Sequence, residues 1–121
     1  MNWIGCCVYL CFFLNYVIAD ERLSFHNKPN PLPEGGVTED WARFLGPHHN
    51  GTSKESKLLK SWPEKGPKIV WELERGETYA APTIVDGRLF SFDLADGNER
   101  LECRDPETGK LKWQFKYPVE Y

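Results

Sequence analysis

Few side chains in this sequence are of kinds and at spacings that do chemistry. His48 and His49 are adjacent in a loop bounded by Gly46-Pro47 and Asn50-Gly51. Two neighbouring loop histidines need further ligands to chelate one metal, and no Cys or Glu cluster lies nearby. His26 stands alone in a proline-rich stretch. Asp93, Asp96, Asn98 and Glu99 surround Gly97. Calcium favours such oxygen-rich loops, but this spacing does not fit an EF-hand, and Asp-Gly-Asn is an ordinary turn. Asn50-Gly51-Thr52 is an acceptor sequon for N-glycosylation, which has meaning only in a eukaryotic secretory pathway. No nucleophile elbow, phosphate-cradling glycine loop or zinc spacing is present. Cys103 alternates inward on a predicted strand and reads as a small core residue, not a nucleophile. No catalytic, cofactor or metal residue is assignable from these types.

The elements that must position any site begin after an apolar leader. Trp3 to Ile18 is apolar except for Asn15, and Val17-Ile18-Ala19 puts small or apolar residues before Asp20. Residues 1–19 therefore read as a secretory signal peptide, although its start carries no Lys or Arg. The rival is a retained anchor, and the run is shorter than the ~20 residues that a spanning helix prefers. Cys6, Cys7 and Cys11 lack the context of a lipidation site. Once the leader is removed, Cys103 is the only cysteine, so no internal disulfide forms. All charged residues follow Ala19, and the net charge of −3 is mild with both signs interspersed. Neither a nucleic-acid footprint nor a polybasic lipid patch results.

Residues 20–39, with Pro29, Pro31, Pro33, Gly35 and Gly36, read as a flexible linker. Residues 40–66 form an irregular lead-in, where Trp41 and Phe44 fit one helical turn or a tight loop that presents both rings on one face. From Pro67 the pattern changes to short strands. Ile69 to Leu73 is the first. Tyr79 to Val85 follows, with Pro82 marking an edge or irregular position. Asp86-Gly87 is a hairpin signal before Arg88 to Asp93. Glu99 to Arg104 alternates like a half-buried strand, with Leu101 and Cys103 apolar. Leu111 to Tyr117 puts Leu111, Trp113, Phe115 and Tyr117 on one face and Lys110, Lys112, Gln114 and Lys116 on the other.

These strands repeat. Trp71 and Trp113 are 42 residues apart, and Lys68-Ile69-Val70-Trp71-Glu72-Leu73 matches Lys110-Leu111-Lys112-Trp113-Gln114-Phe115. Tyr79 and Tyr121 share that offset. Such a period, ending on strand-like residues, points to propeller blades of roughly 40–50 residues. The expected fold is all-β. Residues 67–121 form a partial propeller, with one four-stranded antiparallel blade over about 79–117 and strand 69–73 belonging to an adjoining, ring-closing blade.

The segment from Cys103 to Trp113 resembles the repeat of quinoprotein-like propellers, whose tryptophan-docking motif runs Ala-x-Asp-x-x-Thr-Gly-x-x-x-Trp. Asp105, Thr108, Gly109 and Trp113 match it, and Cys103 stands where alanine is usual. Asp105 and Thr108 can bond the turn backbone. Gly109 can take a positive φ. Trp113 offers a flat surface to wedge against a neighbouring blade. Residues 40–53 likewise resemble the opening segment of secreted bacterial proteins with pyrroloquinoline-quinone-like repeats, which commonly start Asp-Trp-Pro-x-Phe-Arg-Gly-Pro. Ala42 and Leu45 depart from that pattern.

The resemblance implies a ring of seven or eight blades, of which this chain is a piece. A truncated gene product or an incompletely read gene would account for that. The bacterial context it implies makes the sequon a chance match. The leading expectation is a secreted or periplasmic, non-catalytic scaffold or binding module, in the manner of the outer-membrane assembly lipoprotein of similar fold. Its partners are the remaining blades or another protein chain, with no nucleic acid and no membrane span after cleavage. The alternative is a piece of a quinone-dependent alcohol or sugar dehydrogenase. Its pyrroloquinoline quinone and calcium would then be held by groups in other blades.

Overall fold

The computed structural model describes residues 20–120, and the expected signal peptide over residues 1–19 lies outside them. The described chain is all-β, with six strands and no helix. They are β1 (Leu23–Phe25), β2 (Trp71–Leu73), β3 (Thr83–Val85), β4 (Arg88–Ala95), β5 (Asn98–Arg104) and β6 (Leu111–Pro118). β1 and β2 form a two-stranded antiparallel sheet. β3 to β6 form a four-stranded antiparallel meander in sequence order. No described helix is long and apolar enough to cross a membrane.

Turn chemistry sets the meander. Asp86 and Gly87 both have positive φ, 48° and 63°, and so do Asp96 and Gly97, 53° and 68°. Two successive left-handed residues give the hairpin turn whose twist matches that of the flanking strands. The β5–β6 connection is longer, and a register shift beside Cys103 and Arg104 marks a bulge at its foot.

Two sequence expectations change. The stretch 20–39, read as a linker, contributes β1 and two charged side chains that reach the larger sheet. Its strand is held by main-chain pairing with β2, which a three-residue segment advertises poorly. The strand expected over Tyr79 to Val85 is only Thr83–Val85. Pro82 cannot donate to a ladder, so residues 78–82 leave the sheet and Tyr79 is fully exposed. Trp41 and Phe44 lie in a tight loop and line one small pocket with Pro82 and Thr83, but they differ in cover. Trp41 bridges Ile84 at the free edge of β3, whereas Phe44 is 84% exposed.

The burial of the four-stranded sheet is the reverse of its polarity. Residues paired across strands share a face. One face carries Phe90, Phe92, Leu101, Trp113, Phe115 and Tyr117, and it is open: Phe115 is 60% and Trp113 45% exposed. The other carries Ser91, Asp93, Glu102 and Arg104, all buried. β1, β2 and the chain after β2 lie over this second face. Cys103 is the one fully buried apolar side chain among the described residues, as its alternation implies. The half-burial expected for β5 is thus present, but Glu102 and Arg104 lie deeper than Leu101.

Candidate functional site

Three residues of the expected docking motif, Asp105, Thr108 and Gly109, build one turn. The Asp105 carboxylate accepts hydrogen bonds from the backbone N–H of Thr108 at 2.9 Å and of Glu107 at 3.1 Å, and from the Thr108 hydroxyl at 2.9 Å. These bonds from Thr108 hold its carboxyl below the usual aspartate range. The Gly109 N–H donates to the Asp105 carbonyl at 2.8 Å, and the Asp105 N–H donates to the Lys110 carbonyl at 2.9 Å. Gly109 closes the turn at φ 70°, a conformation that other L-residues resist.

A tryptophan sits on this turn, and it is Trp71. Its indole N–H donates to the Pro106 carbonyl at 2.9 Å. A Cβ on Gly109 would lie 2.8 and 2.9 Å from Trp71 ring atoms and 2.6 Å from Leu23 Cδ1. Gly109 therefore serves twice, in its backbone conformation and in the approach of the ring. Trp113, the repeat equivalent of Trp71, meets no such turn among the described residues. It leans on Phe90, centroids 6.1 Å apart, and otherwise faces outward with Phe115 and Tyr117.

The covered face is held by ions. Arg104 is fully buried, donating to Asp20 Oδ2 at 2.6 Å, Glu102 Oε2 at 2.9 Å and the Gly109 carbonyl at 2.8 Å. Arg22 reaches Glu102 Oε1 at 2.5 Å. Arg100 pairs with Asp93 at 2.6 Å. Asp20 and Arg22, at the start of the described chain, are thereby tied to β5. Burial pushes the Asp20, Asp93 and Glu102 carboxyls up, but the facing guanidiniums outweigh it and hold all three below their usual range. A carboxyl with a lowered folded-state pKa contributes stability above its unfolded value, lost as pH falls through the folded one. Urea denaturation at a series of pH values should therefore give constant stability from about pH 7 to 5 and a steep decline below about pH 4. Stability that rises on acidification from pH 5 would contradict the clasp.

The remaining chemistry-bearing residues stay apart. His48 meets Glu39 at 3.1 Å, His49 meets Arg43, and His26 meets Glu72 at 2.7 Å. In the acidic loop, Asp93 is engaged by Arg100, Asn98 donates to the Asp96 carbonyl at 2.8 Å, and Tyr117 donates to Glu99. Among the described residues no three His, Cys, Asp or Glu side chains converge on a metal-sized point. Asn50 Oδ1 accepts from the Thr52 hydroxyl at 2.7 Å within its own turn. A pocket of about 380 Å³ lies beside residues 77–80, lined by Tyr79, Phe92, Leu94 and Glu99.

Sequence reasoning missed Asp20, Arg22, Glu102 and Arg104, because charged residues on a covered face read like those on a wet one. Comparison with family models, curated proteins and solved structures finds no match.

Proposed function

We propose that this chain is a module of a quinoprotein-like repeat propeller and acts as a secreted or periplasmic, non-catalytic scaffold. β3 to β6 are one blade, and β2 is the last strand of an adjoining blade. The open apolar face of β4 to β6 meets the next blade or another protein chain. The observation that carries this reading is the seat of Trp71 on the Asp105–Gly109 turn, set beside the unseated, equivalent Trp113. One copy of the repeat makes the docking contact and the next presents its ring for it. Fold alone does not assign a role. The scaffold role rests on the open apolar surface of β4 to β6.

Two stability measurements test it. Trp113→Ala in the isolated chain should remove only a half-exposed ring. In the assembled parent it should cost about 2 kcal/mol more, because a docked ring and its cavity are then lost together. Equal melting shifts in the two settings would remove the docking role. Binding of micromolar pyrroloquinoline quinone with calcium by the parent would replace the scaffold reading with the dehydrogenase one.

A further inference from the structure

The chain between Ser56 and Pro63 is pinned at both ends and unbonded between them. The Ser56 N–H donates to the Val37 carbonyl at 3.1 Å, and the Val37 N–H donates to Ser56 Oγ at 3.0 Å. At the other end the Gly66 N–H closes a turn on the Pro63 carbonyl at 2.8 Å, and Lys68 Nζ donates to the Lys28 carbonyl at 3.3 Å. Among the described residues, 57–62 make no hydrogen bond and belong to neither sheet. Lys57 turns the chain at φ 62°, a conformation uncommon for a long side chain. Beyond it Leu58 and Leu59 are each 66% exposed and Trp62 is 63% exposed. Three large apolar side chains held in water favour any apolar cover.

Lysines interleave with these three side chains. Lys57, Lys60 and Lys65 flank them, and Lys54 stands just before. Residues 54–65 hold four lysines against Glu55 and Glu64, a net charge of +2 on a chain whose total is −3. Among the described residues none of these four ammonium groups is in an ion pair. The charge discriminates between kinds of cover. Protein interfaces favour arginine and deplete lysine, and here every cation is lysine. An anionic bilayer offers apolar chains beneath a layer of phosphates. Leucine and tryptophan settle at that boundary, while lysine stems extend to keep the ammonium among the headgroups. Such a surface demands no shape complementarity, which suits a loop without hydrogen bonds of its own. Three flanking lysines are not a polybasic patch. The apolar trio holds the loop down, and the lysines select the lipid.

We infer that residues 57–65 form a peripheral membrane loop, with Leu58, Leu59 and Trp62 entering the headgroup–acyl boundary of an anionic phospholipid bilayer and Lys57, Lys60 and Lys65 meeting its phosphates. The loop lies on the bilayer and does not span it. Neither the propeller reading nor the open face of β4 to β6 is used.

The test floats the soluble, exported chain on vesicles. Phosphatidylcholine vesicles containing phosphatidylglycerol should bind it about tenfold more tightly than phosphatidylcholine alone. Leu58→Ser with Leu59→Ser should weaken that binding by about tenfold or more. Its urea midpoint should stay unchanged, because both side chains are already largely in water. Lys57→Gln with Lys60→Gln should abolish the preference for the anionic vesicles. No flotation at millimolar anionic lipid, or flotation that the leucine pair does not reduce, would overturn the inference. So would loss of flotation on Phe115→Ser with none on the leucine pair, which would place the contact on the open sheet face. A dimer in vesicle-free buffer that the leucine variant dissolves would make a second copy the occupant and overturn it too. The docking of Trp113 is read by a different variant in a different assembly, so it stands or falls apart from this loop.

Discussion

Replacing Arg104 with methionine is expected to destabilise the chain by about 3 kcal/mol, because it takes the most deeply buried counter-charge from Glu102 and Asp20. Arg104 is fully buried, and Glu102 is 2% exposed. Glu102 would keep Arg22 at 2.5 Å and the longer contact with Arg100 at 3.6 Å, and Asp20 would lose its 2.6 Å partner. The Gly109 carbonyl would also lose the guanidinium donor that ties the docking turn to β5. The double variant Arg104→Met with Glu102→Gln should recover about 2 kcal/mol of that loss, since one buried anion is removed with the cation and Arg22 still holds Asp20. Urea unfolding of the two variants beside the parent chain measures this. A single variant within about 0.5 kcal/mol of the parent, or a double variant no better than the single, would show that the clasp does not hold the sheets together.

Gly109→Ala is expected to cost roughly 3 kcal/mol. About 1–2 kcal/mol comes from forcing a Cβ into the left-handed region. The rest comes from crowding. The new methyl would meet Leu23 at 2.6 Å and the Trp71 ring at 2.8 Å, and overpacking of a tight site costs about 1–3 kcal/mol. The ring must move off the turn, so its indole bond to the Pro106 carbonyl is lost and the indole N–H resonance of Trp71 should shift to its solvent position. Gly97→Ala is the matched control. Its φ is 68°, but nothing lies within 4 Å of the added carbon, so it keeps the strain without the crowding. Equal melting shifts for the two variants would mean that the ring does not bear on Gly109.

The parts of the fold that announce themselves are those whose residue types dictate backbone geometry. Asp86-Gly87 fixes one hairpin, and the alternation from Leu111 to Tyr117 fixes a strand. The Asp105, Thr108 and Gly109 pattern specifies a turn whose hydrogen bonds are the ones found. The rest is tertiary. β1 is Leu-Ser-Phe, too short for a period, and it exists through its main-chain register with β2. Charged side chains at 20, 22, 102 and 104 carry no sign that they will be covered, because alternation tells which residues share a face and not which face is covered. The inverted burial of the sheet has that origin. At the site, the repeat identified both tryptophans as equivalent, but only their surroundings distinguish a seated ring from one still open.

Hydroxyl-radical footprinting of the isolated chain and of the native assembly from its source cells tests the docking of the open face most directly. In the isolated chain Trp71 should react slowly, and Trp113 and Phe115 quickly. In the native assembly all three should react slowly, because the proposed docking covers the apolar face. Fast reaction of Trp113 and Phe115 in both preparations would contradict that face as a docking surface.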